Sequence, residues 1–333
     1  MLGRNPLPAI FSNLRIPAVG APLFLVSVPE LVIAQCKAGI IGSFPALNAR
    51  EGDGEPIMLE RWLGEITEAL DRHNQEHPDR PAAPFAVNQI VHRTNARLER
   101  DIDICLKWKV PIWITSLGAR PEVNEAAHAC GGIALHDIIN NTYARKAIAK
   151  GADGLIAVAA GAGGHAGKQN PFALIAEVRE WFDGPLLLSG AISSGDALLA
   201  AQVAGADLGY IGSPFIATAE ANADTAYKQM IVESGAEDIV TSPFFTGVSG
   251  NYLRGSIEKM GLDPDNLGEA KGPLNLEEGR TKAKAWRDIW GSGQGIGAVK
   301  DVTTVEALVA RIEWEYEAAA ARVAAFAGAP AAV

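Results

Sequence analysis

Leu186-Leu187-Leu188-Ser189-Gly190-Ala191-Ile192-Ser193-Ser194-Gly195-Asp196 passes from a short apolar run, through small residues, into the opening of a helix. Tyr210-Ile211-Gly212-Ser213-Pro214-Phe215 repeats the arrangement one unit later. A run of four or five aliphatic residues is strand-sized, and the Gly and Ser that follow suit a tight strand-to-helix turn. The segments that lead into strands are just as regular. Ala149-Lys150-Gly151-Ala152-Asp153 and Val203-Ala204-Gly205-Ala206-Asp207 each close a helix on Gly and launch a strand, as do Cys36-Lys37-Ala38-Gly39 and Ala129-Cys130-Gly131 earlier.

Working outward from these repeats, eight apolar runs alternate with helix-patterned segments, at 17–20, 40–44, 84–89, 111–116, 132–136, 153–159, 185–189 and 207–212. Such alternation is the mark of βα units and a parallel sheet. Eight units suit a closed TM-free α/β fold of the TIM (β/α)₈ barrel type, although period alone leaves an open doubly wound sheet as the alternative. The longest connection, between the second and third runs, holds a loop at 51–55 and an amphipathic helix at 58–77. A helix is expected over 219–234, after which 241–255 and 262–297 are rich in Gly, Pro and Asn. The expected division is a barrel made of 1–225 plus 300–333, with 226–299 inserted as a smaller lid domain. The closing helix, over 302–326, carries apolar residues at helical spacing and begins on Thr303-Thr304-Val305-Glu306, close to a capping box.

The chain has 333 residues, of which 48% are hydrophobic and 20% charged, with a formal net charge of −10. That balance fits a compact globular protein and argues against a nucleic-acid partner, which would call for clustered Lys and Arg. Residues 1–13 lack the apolar core and small-residue cleavage site of a signal peptide, and Pro17, Pro22, Pro29, Glu30 and Lys37 interrupt the most apolar early region. A cytoplasmic enzyme without a membrane segment is expected, as monomer or homodimer. Cys36, Cys105 and Cys130 lack the spacing of a metal or redox pair and read as reduced core residues, and no metal site is expected.

The chemistry concentrates after the late strands. Backbone N–H groups approached closely through Gly190, together with the positive end of a helix, are what a bound phosphate dianion requires. Plain tight βα turns explain the same glycines, and spacing leaves both readings open. After the sixth run, Gly161-Ala162-Gly163-Gly164-His165-Ala166-Gly167-Lys168 lets the main chain lie flat against a planar ligand, with His165 as its acid–base group. His73, His77, His92 and His128 read as incidental. His136 and Asp137 follow the fifth run and make a weaker candidate pair.

Taken together, these residues resemble the nitronate monooxygenase family, formerly 2-nitropropane dioxygenases, over nearly the whole chain. The resemblance is carried in order by Gly20-Ala21-Pro22-Leu23, Phe85-Ala86-Val87-Asn88, Gly163-Gly164-His165, Ser189-Gly190-Ala191-Ile192, Ile211-Gly212-Ser213, and the run from Trp286 through Trp290 to Gln294-Gly295. It implies an FMN-dependent barrel with a lid, in which His165 takes the acidic proton α to a nitro group. By the same resemblance, Gly190, Ala191, Gly212 and Ser213 hold the cofactor phosphate. Ala21, Pro22, Leu23, Asn88, Gly163, Gly164 and Gln294 then lie about the flavin. Trp286, Trp290 and Tyr252 read either as the lining of an apolar lid over the ring or, equally well, as an ordinary lid-domain core. The implied reaction is oxidation of an alkyl nitronate by FMN, with O₂ as the final oxidant, giving a carbonyl compound and nitrite. Three departures from the family pattern stand out: Leu23 where Met is usual, Ala191 for a second Gly, and Asp137 where some relatives carry Lys. Asp137 brings a carboxyl close to a site expected to hold an anion. The alternatives are an FMN-dependent NAD(P)H reductase of quinones or enoyl thioesters, and a non-redox barrel that binds a phosphorylated ligand.

Overall fold

The computed structural model describes residues 6–50, 57–268 and 286–328. Its strands, in chain order, are β1 (Ala18–Gly20), β2 (Gly42–Pro45), β3 (Phe85–Ile90), β4 (Ile112–Ser116), β5 (Ile133–Ile138), β6 (Gly154–Val158), β7 (Gly164–His165), β8 (Leu186–Ser189), β9 (Leu208–Ile211), β10 (Ile239–Ser242) and β11 (Gly250–Leu253). The helices are α1 (Pro29–Lys37), α2 (Met58–Glu76), α3 (Leu98–Lys107), α4 (Pro121–Ala129), α5 (Asn141–Ala149), α6 (Pro171–Arg179), α7 (Gly195–Ala204), α8 (Ser213–Ile216), α9 (Thr225–Glu233), α10 (Arg254–Lys259) and α11 (Val305–Gly328).

The eight expected runs all enter one parallel sheet, in the order β1-β9-β8-β6-β5-β4-β3-β2. A parallel bridge between Val19 and Ile41, with Gly20 N–H donating to Ile41 C=O at 2.8 Å, joins the two ends. The sheet is therefore a closed (β/α)₈ barrel, and the doubly wound alternative falls away. Closure explains why the strands read as nearly continuous apolar runs, since both faces are covered. Alternation still sorts them. Ile112 and Ile114 of β4 join Val19, Ile41, Ala86, Leu135, Ile156, Leu187 and Leu208 in the barrel interior. Trp113, between them, points outward to the helices and donates its indole N–H to Val110 C=O.

Several element boundaries differ from the sequence reading. β2 begins at Gly42, because Ile40 and Ile41 are spent on the turn and on the closing bridge. β5 runs on to Ile138, because its ladder with β6 continues through Asp137 opposite Ile156 and Ile138 opposite Ala157. His136 and Asp137 thus lie within the strand, on opposite faces, rather than together on a following loop. The helix expected over 219–234 forms only as α9, capped by the Asp224 carboxylate, which accepts from Ala226 N–H. The residues before it send their N–H groups elsewhere, Ala219 to Thr303 C=O and Asn222 to Val26 C=O.

Beyond the barrel, β10, β11 and β7 form a small antiparallel sheet, so that the two residues of β7 belong to the outer layer although they follow a barrel strand. Phe245, Tyr252, Ile257 and Ile289 are its buried core. The loop expected at 51–55 lies outside the described residues, as does much of the segment between Leu262 and Trp286. α11 starts three residues later than expected, with the Thr304 hydroxyl accepting from Ala307 N–H. It lays Val305, Leu308, Val309 and Ile312 onto the barrel's outer core and packs against α7 and α1.

Candidate active site

All the loops that leave the C-terminal ends of the barrel strands converge on a cavity of about 1080 Å³. Barrel enzymes build their sites at this end. Ala21, Pro22, Leu23, Asn88, His136, Asp137, Gly163, Gly164, His165, Gly190, Ala191, Gly212, Ser213 and Trp286 all line it. Three expected residues do not. Gln294 is exposed, its backbone N–H donating to Gly161 C=O at 2.9 Å while its side chain lies against Gly161. Trp290 is buried and stacked on Tyr227, with ring centroids 4.9 Å apart, so it is a packing residue. Tyr252 is likewise fully buried in the outer core rather than on the wall.

The loop after β1 is fixed by Asn48, whose side chain donates to Leu23 C=O and Ser27 C=O and accepts from Leu25 N–H at 2.9 Å. The cradle across the barrel consists of backbone brought unusually close. A Cβ on Gly190, whose φ is +142°, would lie 2.9 Å from Ala160 C=O, and one on Gly163 would lie 2.9 Å from Gly293 N. Ala191 holds φ +55° without being glycine, a conformation that costs an ordinary residue roughly 1 kcal/mol or more and persists where the surroundings impose it. The helix that opens at Ser213 is a single turn, so its dipole is small, and the Ser213 hydroxyl is occupied in accepting from Gly293 N–H at 2.9 Å. The longer α7 sends its first N–H, from Gly195, to the Glu315 carboxylate. What the cradle offers an anion is therefore chiefly the main chain at 190–193 and 212–213. Side chains at Gly190 and Gly163 would push the neighbouring backbone apart, and so tightly drawn a main chain beside the cavity fits a phosphate group held by backbone donors.

His165 is presented by β7. Its Nε2 lies 2.9 Å from the Thr246 hydroxyl, which itself donates to Val248 C=O at 3.0 Å. In the tautomer in which the Thr246 hydroxyl keeps its proton on Val248 C=O, its oxygen accepts from Nε2–H and the lone pair of the ring is on Nδ1. Burial pushes the imidazole down to about 4, so it is neutral at physiological pH. Trp286 closes over the ring edge-on, with centroids 5.3 Å apart, and packs on Gly164. Asn251 of β11 donates to Ala162 C=O at 2.6 Å and pins the glycine loop. Thr246 and Asn251 carried no sequence signal, because their partners lie 80 or more positions away along the chain.

The His136 ring turns away from the barrel axis to bond the Thr115 hydroxyl and is pushed down to about 4, by burial and then by Lys150. The incidental histidines have structural partners: His73 bonds Arg80 C=O, His92 bonds Thr94, and His128 pairs with Asp153. The cysteines are all free thiols. Among the described residues, no cluster of His, Cys, Asp or Glu could hold a metal ion, and no helix is long and apolar enough to cross a membrane.

Fold and site define a (β/α)₈-barrel enzyme with one large cavity at the strands' C-terminal ends. A family model described as nitronate monooxygenase matches residues 59–313, and the chain belongs to that family of flavin-using oxidoreductases. It is 24% identical to a nitronate monooxygenase of Paraburkholderia phytofirmans, the alignment covering 90% of this chain and 92% of that one. A solved nitroalkane oxidase from Streptomyces ansochromogenes superposes with a TM-score of 0.77 at 22% identity, over 95% of this chain and all of that one. FabK from Thermotoga maritima superposes at 0.75 with 21% identity, covering 95% and 97%. At such identities the solved structures speak for the fold alone.

Proposed function

We propose that this chain uses FMN to oxidise alkyl nitronates, and the nitroalkanes that give rise to them, to carbonyl compound and nitrite with O₂ as oxidant. The observation that carries this reading is the state of His165: neutral, with Nε2 committed to Thr246 and Nδ1 free, on the wall of the cavity that also holds the cradle. A carbon acid α to a nitro group needs a base of this kind, and a preformed nitronate does not. The cradle residues Gly190, Ala191, Gly212 and Ser213 would hold the phosphate, with Asn88, Ala21, Pro22, Leu23, Gly163 and Gly164 around the ring. The bound flavin would supply the electron acceptance, while the protein supplies position and electrostatics. Trp286 and the outer sheet screen the base from water. On this reading 226–299 works as a lid over the barrel formed by the rest.

The test is anaerobic. An alkyl nitronate added to flavin-loaded protein should bleach the flavin quickly, and NADH or NADPH should not. Rapid bleaching by a nicotinamide with none by nitronate would replace this reading with a reductase. Protein that stays colourless after incubation with FMN would favour a non-redox barrel.

A further inference from the structure

Four polar side chains stand on the cavity floor, each two residues along its strand from a member of the barrel interior and so on the same inward face. They are Asn88 beyond Ala86, Ser116 beyond Ile114, Asp137 beyond Leu135 and Tyr210 beyond Leu208. Asn88 Nδ2 donates to Ser116 Oγ at 2.7 Å, and Ser116 Oγ donates to Asp137 Oδ2 at 2.6 Å. This relay makes Oδ2 the accepting oxygen of the carboxyl group. Asp137 Oδ1 and the Tyr210 hydroxyl are buried, and among the described residues neither has a hydrogen-bond partner. An unpaired buried polar atom costs roughly 1–3 kcal/mol, and two on one cavity floor call for a ligand that satisfies both.

We propose that Asp137 and Tyr210 form a pair of hydrogen-bond donors that takes a negatively charged ligand oxygen, Asp137 through a proton on Oδ1 and Tyr210 through its phenol. A carboxyl group in an apolar setting stays neutral and becomes a donor. The remaining titratable groups on the cavity are His136, Tyr143, His165, Tyr227 and the cations Arg50, Lys146, Lys150 and Arg287. Among the described residues, none of them forms a hydrogen bond or ion pair with the Asp137 carboxyl, which accepts from Ser116. His136, adjacent in sequence, faces the other way. Burial without a facing cation pushes the Asp137 carboxyl up to about 7, and burial together with Asp137 pushes the Tyr210 phenol up. The sign follows: below about pH 7 the carboxyl donates, and above it the ionised group repels an anion.

The inference concerns the cavity of the proposed function, but it does not depend on that reaction. The oxygen has two sources, a ring oxygen of an anionic flavin or a nitronate oxygen of a substrate, and a coloured oxyanion separates them. The full chain, with and without FMN, is titrated with 3,4-dinitrophenolate, which remains ionised through neutral pH. Above about pH 7 the dissociation constant should rise about tenfold per pH unit, as the loss of one proton requires. Asp137→Asn should keep binding and lose the slope. Tyr210→Phe should weaken binding about tenfold at every pH while keeping the slope. In infrared spectra below pH 7, the carbonyl band of a protonated carboxyl should vanish in Asp137→Asn. Displacement of the probe by FMN assigns the donors to the flavin oxygen, and binding beside FMN assigns them to the substrate. A wild-type affinity independent of pH, a slope that survives Asp137→Asn, a missing carboxyl band, or no binding in either state overturns the proposal. Protein that takes up no FMN would defeat the proposed function and leave the probe and infrared tests intact.

Discussion

One hydroxyl decides which nitrogen of His165 is basic, and so which proton transfers the residue can perform. Burial keeps the ring neutral, and in the tautomer whose Nε2–H donates to Thr246, Nδ1 is the nitrogen left to accept. His165→Asn is therefore expected to retain flavin yet lose about 10²–10⁴-fold in turnover on neutral nitroalkanes, and far less on preformed nitronates. Equal losses on both substrates would remove its role as base. Because the folded imidazole titrates near 4, the basic form is lost only as pH falls through about 4, and the acid limb of nitroalkane turnover should lie there. His165 was legible in the sequence because a glycine loop after a strand isolates it. Asp137 was legible as an oddity but misplaced: as a loop residue it would be an anion beside the site, whereas inside β5 it is half-buried, with Oδ1 enclosed on the cavity floor. Tyr210 stood in the quoted cradle segment, and its period-two spacing from Leu208 could have marked it as inward-facing. Ser116 offered the same cue beside Ile114. Thr246 offered none.

At the level of elements, the sequence marked strand cores well and their ends poorly. Aliphatic composition identifies the part of a strand that is buried on both faces, but a ladder stops where its neighbour's does, as β5 shows by following β6 to Ile138. The helix expected from 219 failed for a related reason, since tertiary partners captured its first N–H groups. α7 and α11 show how tight such packing is. A Cβ on Gly195 would lie 2.0 Å from Tyr316 N and 2.4 Å from Ile312 C=O. Gly195→Ala should force the closing helix away from the barrel and lower stability by about 1–3 kcal/mol or more, measured by denaturant unfolding. An unchanged midpoint would show that α11 can shift freely.

For the molecule as a whole, the barrel was foreseeable because eight βα repeats leave few ways to cover both faces of every strand, and the closing bridge from Val19 to Ile41 is the one that was realised. The outer sheet was not foreseeable in this form. A two-residue strand has no periodicity to detect, and its partner in β11 lies far along the chain. That separation has a kinetic consequence. Most barrel strands pair with a neighbour one βα unit away, whereas His165 meets Gly250 only after a loop of some 85 residues has closed (165 to 250). Closing long loops comes late, because the entropy must be spent before the contact forms. Refolding should therefore restore helical circular dichroism first, and the quenching of Trp286 fluorescence against His165 and Tyr252 afterwards. Simultaneous recovery of the two signals would argue against that order. Barrel closure spans still more chain, 191 residues from Ala18 to Gly209 (209 − 18), so both long closures follow the local βα units, and a newly made chain would acquire its helices before it had either a closed barrel or a finished cavity wall.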